Sequence, residues 1–188
     1  MQPKLLDRQS AYTGYLSVDR LKVRLADGAT VWREVERHGD AAVVLPYDAE
    51  RRCALIVRLF RAPVFDACGD TAIEEACAGM IEDGDAETTA RREALEELGV
   101  VLGSLERVAH VWSSPGVSTE RQSLFLAPYG LENRKGKGGG VASEHEGITV
   151  MERPLADLAA DVKQWRTTDA KLMTLVLALQ LRRPDLFA

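Results

Sequence analysis

The sequence predicts an α/β fold of the α+β kind, in which a mixed sheet lies between helices. The chain has 188 residues and 46% apolar content, which is enough for one domain with a sizeable core. Predicted strands outnumber predicted helices and mostly occur in runs. Two of the strands, residues 41–46 and 54–60, are almost continuously apolar, which indicates burial on both faces.

The remaining elements follow from apolar periodicity and from turn residues. Further strands are predicted at residues 15–18, 21–25, 31–35, 73–81, 108–112, 123–127 and 148–151, with turns at 26–28 and 48–50. Helices are predicted at residues 86–98, 155–165 and 169–181, the first ended by Gly99 and the last capped by Thr168 or Asp169. The glycine-rich stretch at residues 134–140 is expected to be mobile and exposed.

Charge and composition exclude some classes of function. The net charge of −5 argues against a nucleic-acid polymer as partner, because that binding needs a basic surface. An acidic protein still binds a small diphosphate if a divalent metal supplies positive charge. The apolar run at residues 172–181 is too short and too interrupted to span a bilayer, and the first residues do not resemble a signal peptide. Cys53, Cys68 and Cys77 are odd in number, which indicates reduced thiols in a cytoplasmic protein.

The most informative segment is the acidic helix end at residues 92–99, Arg-Glu-Ala-Leu-Glu-Glu-Leu-Gly. On a helix, Glu93, Glu96 and Glu97 fall within an arc of about 100°. Like charges at this spacing repel, and anions near a helix C-terminus oppose the macrodipole. Arg92 offsets part of the repulsion by reaching Glu96, and the acids are expected to face out of the core. Such a pattern indicates a bound cation.

Residues 79–100 resemble the Nudix box, Gly-x5-Glu-x7-Arg-Glu-(apolar)-x-Glu-Glu-x-Gly-(apolar). Gly79 opens the segment, Arg92-Glu93 supply its Arg-Glu, and Gly99-Val100 close it. The match departs twice, since Asp85 stands where the first Glu is expected and the stretch before Arg92 is one residue short. A shortened box preceded by Cys-Ala-Gly is similar to the GDP-mannose pyrophosphatase branch of the family, which is close to the ADP-ribose pyrophosphatases.

Agreement with this branch continues outside the box, and it covers nearly the whole chain in order. It includes Arg33-Glu34-Val35, Phe60-Arg61, Ser114-Pro115-Gly116 leading to Glu120, Glu144-His145-Glu146-Gly147-Ile148, and Lys171. The resemblance implies a Nudix fold, an α/β/α sandwich with a mixed sheet and an N-terminal antiparallel β lobe. The lobe, residues 1–40, is expected to serve dimerisation and nucleotide contacts, and residues 41–188 form the hydrolase domain.

The same resemblance implies a metal site and a catalytic group. Metal ligands are expected at Glu93, Glu97, Glu146 and the backbone carbonyl of Ala78, which are oxygen donors suited to Mg²⁺, with Mn²⁺ as a substitute. Glu144 is expected to be the general base, Glu96 a further or water-mediated ligand, and Arg92 the residue that orients the carboxylates. For Glu93, Glu96 and Glu97, the alternative is a solvated face of the acidic helix. For Glu144 and Glu146, it is two acids on an exposed loop.

Substrate contacts are implied as well. They are expected at Tyr15, Trp32, Arg33, Glu34, Arg61, Glu120, His145 and Lys171, with Arg61 and Lys171 on phosphate oxygens. Tyr15 is expected to reach across from a partner subunit, or else to be ordinary strand packing. The alternatives to these substrate contacts are a surface position for Arg61, a solvated side chain at Lys171 and a solvent-facing side chain at His145.

The function implied is Mg²⁺-dependent hydrolysis of a nucleoside diphosphate sugar by a homodimer, without nucleic-acid polymer or membrane partners. GDP-mannose is the first candidate substrate, giving a nucleoside monophosphate and a sugar 1-phosphate. The alternatives are an ADP-ribose pyrophosphatase, giving AMP and ribose 5-phosphate, and a Nudix-fold nucleotide sensor without turnover.

Overall fold

The structure, a computed structural model, describes residues 1–82, 84–141 and 147–188. Within these ranges the strands are β1 Lys4–Thr13, β2 Ser17–Arg24, β3 Thr30–Arg37, β4 Ala41–Asp48, β5 Cys53–Leu59, β6 Ile73–Glu75, β7 Cys77–Met80, β8 Glu106–Trp112, β9 Arg121–Pro128 and β10 Thr149–Pro154. The α-helices are α1 Ala62–Cys68, α2 Ala86–Leu98, α3 Leu155–Lys163 and α4 Ala170–Arg182. The chain divides into two compact units, residues 1–40 with 111–122 and residues 41–110 with 123–188.

The first unit contains an antiparallel three-stranded sheet in the order β1-β2-β3. The predicted turn at residues 26–28 joins β2 to β3, and Gly28 there has a positive φ of 92°. The two strands predicted at residues 15–18 and 21–25 are a single strand, β2, and Tyr15 lies in the turn before it. Strand β1 was not predicted, because all ten of its residues are exposed and so lack a buried apolar face.

The second unit contains a sheet in the order β10-β5-β4-β9-β8, with β6 paired to β5 and β7 paired to β4. It is the predicted mixed sheet of an α/β/α sandwich. Alternate residues of its central strands belong to two separate cores. In β4, Ala42 and Val44 pack in the core that holds the buried face of α2, whereas Val43 and Leu45 pack with α3 and α4. Burial on both faces explains the nearly continuous apolar runs.

The strand predicted at residues 73–81 is wrong as a single element. The chain changes its pairing partner at Ala76, since β6 pairs with β5 and β7 pairs with β4. At the break, the backbone N–H of Ala76 donates to the carboxylate of Asp169, 3.1 Å away. This bond satisfies a buried N–H group that would otherwise need an acceptor on a neighbouring strand.

Both ends of α2 agree with the prediction of a helix over residues 86–98. Asp85 is the N-cap, and its carboxylate accepts a hydrogen bond from the backbone N–H of Thr88 at 2.8 Å, which lowers the pKa of Asp85. Gly99 ends the helix in the left-handed region with a φ of 68°. The aspartate that replaces the first box glutamate therefore has a helix-capping role in this chain.

Candidate active site

The acids of α2 lie against β7. Glu97 is 5% exposed, and its carboxylate accepts a hydrogen bond from the backbone N–H of Ala78 at 3.3 Å. The side chain of Glu93 is 12% exposed and lies beside Gly79, where a Cβ atom would overlap its carboxylate oxygen. The structure thus brings Glu93, Glu97 and Ala78 together, and the glycine that opens the box makes the approach possible.

The expectation that the acids face out of the core is wrong for Glu97. The helix turns this side chain toward β7 and leaves Leu95 46% exposed, although apolar periodicity placed Leu95 inside. A buried carboxylate is unfavourable unless donors or cations compensate it. The alternative of a solvated acidic helix face does not hold at this position.

Arg92 bridges the other two acids. Its guanidinium lies 2.7 Å from a carboxylate oxygen of Glu93 and 2.8 Å from one of Glu96, which confirms the predicted pairing to Glu96. Partial burial lowers the pKa of Arg92, but the two carboxylates outweigh it and raise that pKa. Arg92 therefore offsets like-charge repulsion between Glu93 and Glu96 and restricts their rotamers.

The C-terminal end of α2 is covered by a glycine strap, residues 135–140. Four of its backbone N–H groups donate to carbonyls at the helix end: Lys135 and Gly136 to Gly99 at 2.8 and 3.2 Å, Gly139 to Glu97 at 2.8 Å, and Gly140 to Glu96 at 3.1 Å. The backbone of these residues is therefore bonded to the helix end, and the predicted exposure holds for residues 135–138. The four donors compensate the partial negative charge of the helix end that carries the acids.

Glycine is required in the strap for steric and conformational reasons. Gly138, Gly139 and Gly140 have φ values of 67°, 110° and 75°, in the left-handed region. A Cβ on Gly138 would also overlap the carbonyl oxygen of Glu97. The segment was predicted to be mobile from its composition, whereas its glycines allow the backbone to approach the helix end closely.

A divalent cation fits the donors around Glu97. Among the described residues, no group of three or more His, Cys, Asp or Glu side chains forms a complete metal site. Glu93 and Glu97 nevertheless provide hard oxygen donors beside the backbone of Ala78 and Gly79, and the buried carboxylate of Glu97 is compatible with a nearby cation. The expected fourth ligand, Glu146, lies outside the described residues.

Arg61 and Lys171 lie together, although they are far apart in the sequence. Both bind the buried carboxylate of Glu75, and Lys171 also binds Asp169. The alternative of a solvated lysine is therefore not met, whereas Arg61 is ion-paired and still 46% exposed at the surface. Sequence reasoning missed Glu75 as a site residue, although its position four residues before the box was a usable signal.

The predicted nucleotide-contact residues of the N-terminal lobe lie in the first unit. Tyr15 is fully exposed in the β1–β2 turn, which excludes ordinary strand packing. Trp32 on β3 stacks under the guanidinium of Arg20, 5.0 Å from the ring centroid. Arg33 and Glu34 are exposed on the same strand. These side chains remain predicted substrate contacts.

Glu120 also belongs to the first unit. Its side chain is 18% exposed, and its carboxylate accepts a hydrogen bond from Gln122 at 3.2 Å. The loop before it is fixed to β3, since Thr119 donates to the carbonyl of Glu36 at 3.0 Å. Three other predicted site residues, Glu144, His145 and Glu146, lie outside the described residues.

Comparison with known proteins identifies the family to which the chain belongs. The NUDIX domain family matches residues 37–175, so the chain belongs to the Nudix family. With the acidic helix and its setting on β7, it is a Nudix pyrophosphohydrolase. Members of this family generally need a divalent metal.

Comparison with individual proteins gives a more specific result. The chain is 38% identical to a GDP-mannose pyrophosphatase of Cronobacter sakazakii over 151 residues, 80% of this chain and 78% of that protein. It is 36% identical to a GDP-mannose pyrophosphatase of Pectobacterium atrosepticum over 77% of this chain and 74% of that protein. A crystal structure of an ADP compounds hydrolase has the same fold, with a TM-score of 0.80, 15% identity, and 98% and 96% coverage of the two chains.

Proposed function

We propose that this chain hydrolyses the diphosphate bond of a nucleoside diphosphate sugar in the presence of Mg²⁺, with GDP-mannose as the preferred substrate. The products are a nucleoside monophosphate and a sugar 1-phosphate. The observation that carries the proposal is the setting of Glu93 and Glu97 against Ala78 and Gly79. Identity to proteins named GDP-mannose pyrophosphatases, up to 38% over most of the chain, supports the choice of substrate.

The residues of the second unit have distinct roles in this proposal. Glu93, Glu97 and the carbonyl of Ala78 hold the cation, and Arg92 keeps the carboxylates of Glu93 and Glu96 in place. When bound, Mg²⁺ supplies positive charge that polarises phosphate oxygens and eases deprotonation of water. Arg61 and Lys171 neutralise the phosphate oxygens and orient the diphosphate. Glu144, at the base position of the resemblance, takes the proton of the attacking water.

A substrate panel tests this proposal. Purified chain is assayed with GDP-mannose, other nucleoside diphosphate hexoses and ADP-ribose, with Mg²⁺, with Mn²⁺ and with EDTA. We expect the highest kcat/KM for GDP-mannose with Mg²⁺, release of GMP and mannose 1-phosphate, and no turnover in EDTA. A higher kcat/KM for ADP-ribose would favour the second candidate substrate. Binding of these compounds without hydrolysis would overturn the enzyme proposal in favour of a nucleotide sensor.

We also propose that the chain is a homodimer formed through the N-terminal sheet. Strand β1 is ten residues long and lies at the end of its sheet, where it pairs with β2 among the described residues. Its side chains include Leu5, Leu6 and Tyr12, which are 47%, 37% and 57% exposed. A long, exposed edge strand with apolar side chains favours pairing with another chain. A second copy of this chain is the proposed partner.

Light scattering tests the dimer. We expect a mass of twice the 20.7 kDa chain, and a monomer for Leu6→Lys, because a charge on the edge strand opposes pairing. A monomeric wild type would contradict the proposal.

A cytoplasmic location also remains proposed, supported by the three free cysteines. Among the described residues, no helix is long and apolar enough to cross a membrane.

A further inference from the structure

A cluster of two cations and two carboxylates lies where β6, the start of α1 and the start of α4 meet. The guanidinium of Arg61 donates two hydrogen bonds to Glu75, at 2.8 and 3.1 Å. The ammonium of Lys171 donates to the same carboxylate at 3.1 Å and to Asp169 at 2.8 Å. One carboxylate, that of Glu75, therefore binds both cations.

The cluster is arranged with its anions inside and its cations outside. The side chains of Glu75 and Asp169 are each 6% exposed, whereas those of Arg61 and Lys171 are 46% and 19% exposed. A ligand that approaches from solvent meets the cations first. The cluster is neutral in sum, but its outer side suits an anion.

Both carboxylates are fixed by secondary structure. Glu75 ends β6, paired opposite Val57 of β5. Asp169 is the N-cap of α4 and accepts hydrogen bonds from the backbone of Leu172 and of Ala76. The cations are consequently held by groups that cannot move without disturbing the sheet or the helix.

We propose that Glu75 is a positioning residue, whose buried carboxylate holds Arg61 and Lys171 at the separation that lets both bind one diphosphate. This inference rests on the proposed function and deepens it. Two cations placed close together repel each other in the absence of substrate, and a shared carboxylate removes that cost. Because that carboxylate is buried behind them, it leaves the cations on the side where phosphate oxygens arrive.

A purely stabilising role explains this cluster less well than a role in positioning Arg61 and Lys171. A buried ion pair commonly contributes little compared with apolar residues of similar volume, because desolvation offsets the attraction. Burial lowers the pKa of Lys171, but Asp169 and Glu75 outweigh it and raise that pKa. Burial raises the pKa of Glu75, and Arg61 with Lys171 lower it below its ordinary value. Glu75 and Lys171 therefore stay charged at neutral pH, as a phosphate-binding arrangement requires.

The variant Glu75→Gln tests the proposal. Glutamine keeps the size of the side chain but cannot hold two cations by charge, so we expect KM for GDP-mannose to rise about 10- to 100-fold, with a smaller fall in kcat. The pKa of Lys171 should also fall, because of its two carboxylate partners in the described part of the chain only Asp169 is left, while burial persists and Arg61 loses its counter-charge. The alkaline rise in KM should therefore begin at lower pH than in wild type.

Asp48→Asn is the matched control. Asp48 is also a buried carboxylate, 5% exposed and 2.7 Å from the guanidinium of Arg51, but it is the last residue of β4, where the turn to β5 begins. Both variants should lower Tm, whereas KM should rise in Glu75→Gln alone. A folded Glu75→Gln with wild-type KM and an unchanged alkaline limb would overturn the proposal, since a structural role predicts that result.

Two further measurements keep the test decisive. If Glu75→Gln does not fold, Glu75→Asp retains the charge on a shorter side chain, and we expect an intermediate rise in KM; a wild-type KM in that variant would overturn the inference. If wild type hydrolyses no nucleoside diphosphate sugar, the proposed function fails. Wild-type turnover with an unaffected Glu75 variant means that this inference alone fails.

Discussion

Glu97→Gln is expected to lower kcat about 10³-fold, because it removes an anionic ligand from the proposed metal site. The carboxylate is buried and accepts a hydrogen bond from the backbone of Ala78. Glutamine has the same shape, and its amide oxygen can accept that bond, so the fold should persist. The loss should therefore appear in catalysis and in metal affinity rather than in folding. Steady-state kinetics with GDP-mannose across a range of Mg²⁺ concentrations measure it.

Glu87→Gln is the matched control on the same helix. Glu87 is in the first turn of α2, with a side chain that is 51% exposed, and lies 4.0 Å from Arg91. The Glu87→Gln variant should keep the wild-type kcat. Thermal unfolding provides a readout independent of turnover: Mg²⁺ should raise Tm in wild type and in Glu87→Gln, but much less in Glu97→Gln. An equal Mg²⁺ shift in all three proteins would remove Glu97 from the metal site.

The ends of α2 were predictable because their causes are local. An aspartate before the helix, a glycine after it and Arg92 four residues before Glu96 act within one turn of their own positions. The burial of Glu97 was not predictable from the helix alone. It depends on the register of β7, which places the backbone N–H of Ala78 and the side-chain-free Gly79 opposite the acids.

The glycine strap shows a second limit of sequence reasoning. Composition predicts flexibility for residues 134–140, because glycine and lysine disfavour regular structure. The same glycines adopt positive φ values and approach the carbonyls of α2, which requires a particular long-range pairing. Composition cannot distinguish a free loop from a backbone that needs glycine for close contact.

Helix α1 was missed although it carries a local signal. It begins with a proline in its first turn and ends at Gly69, which is in the left-handed region with a φ of 79°. Proline at the start and glycine past the end are a usual helix pattern. The absence of buried residues in this helix explains why apolar periodicity gave no indication of it.

Glu144→Gln is expected to lower kcat about 10²- to 10⁴-fold, as the loss of a general base does, while KM stays close to wild type. The expectation comes from the position of Glu144 in the Glu-His-Glu-Gly motif of the resemblance, since this residue lies outside the described part of the chain. Glutamine cannot accept the proton of the attacking water, but it keeps the size of the side chain. The acidic limb of the kcat profile, where the base becomes protonated, should disappear in the variant.

Glu132→Gln controls for loss of a carboxylate in the same connection between β9 and β10. Glu132 is exposed in a short 3-10 turn, and its carboxylate makes no ion pair with another described residue. The Glu132→Gln variant should have the kcat and the pH profile of the wild type. Turnover at the wild-type rate in Glu144→Gln would mean that another carboxylate takes the proton. Glu146→Gln and Glu120→Gln would then be the variants to measure, and the one that loses the acidic limb identifies the base.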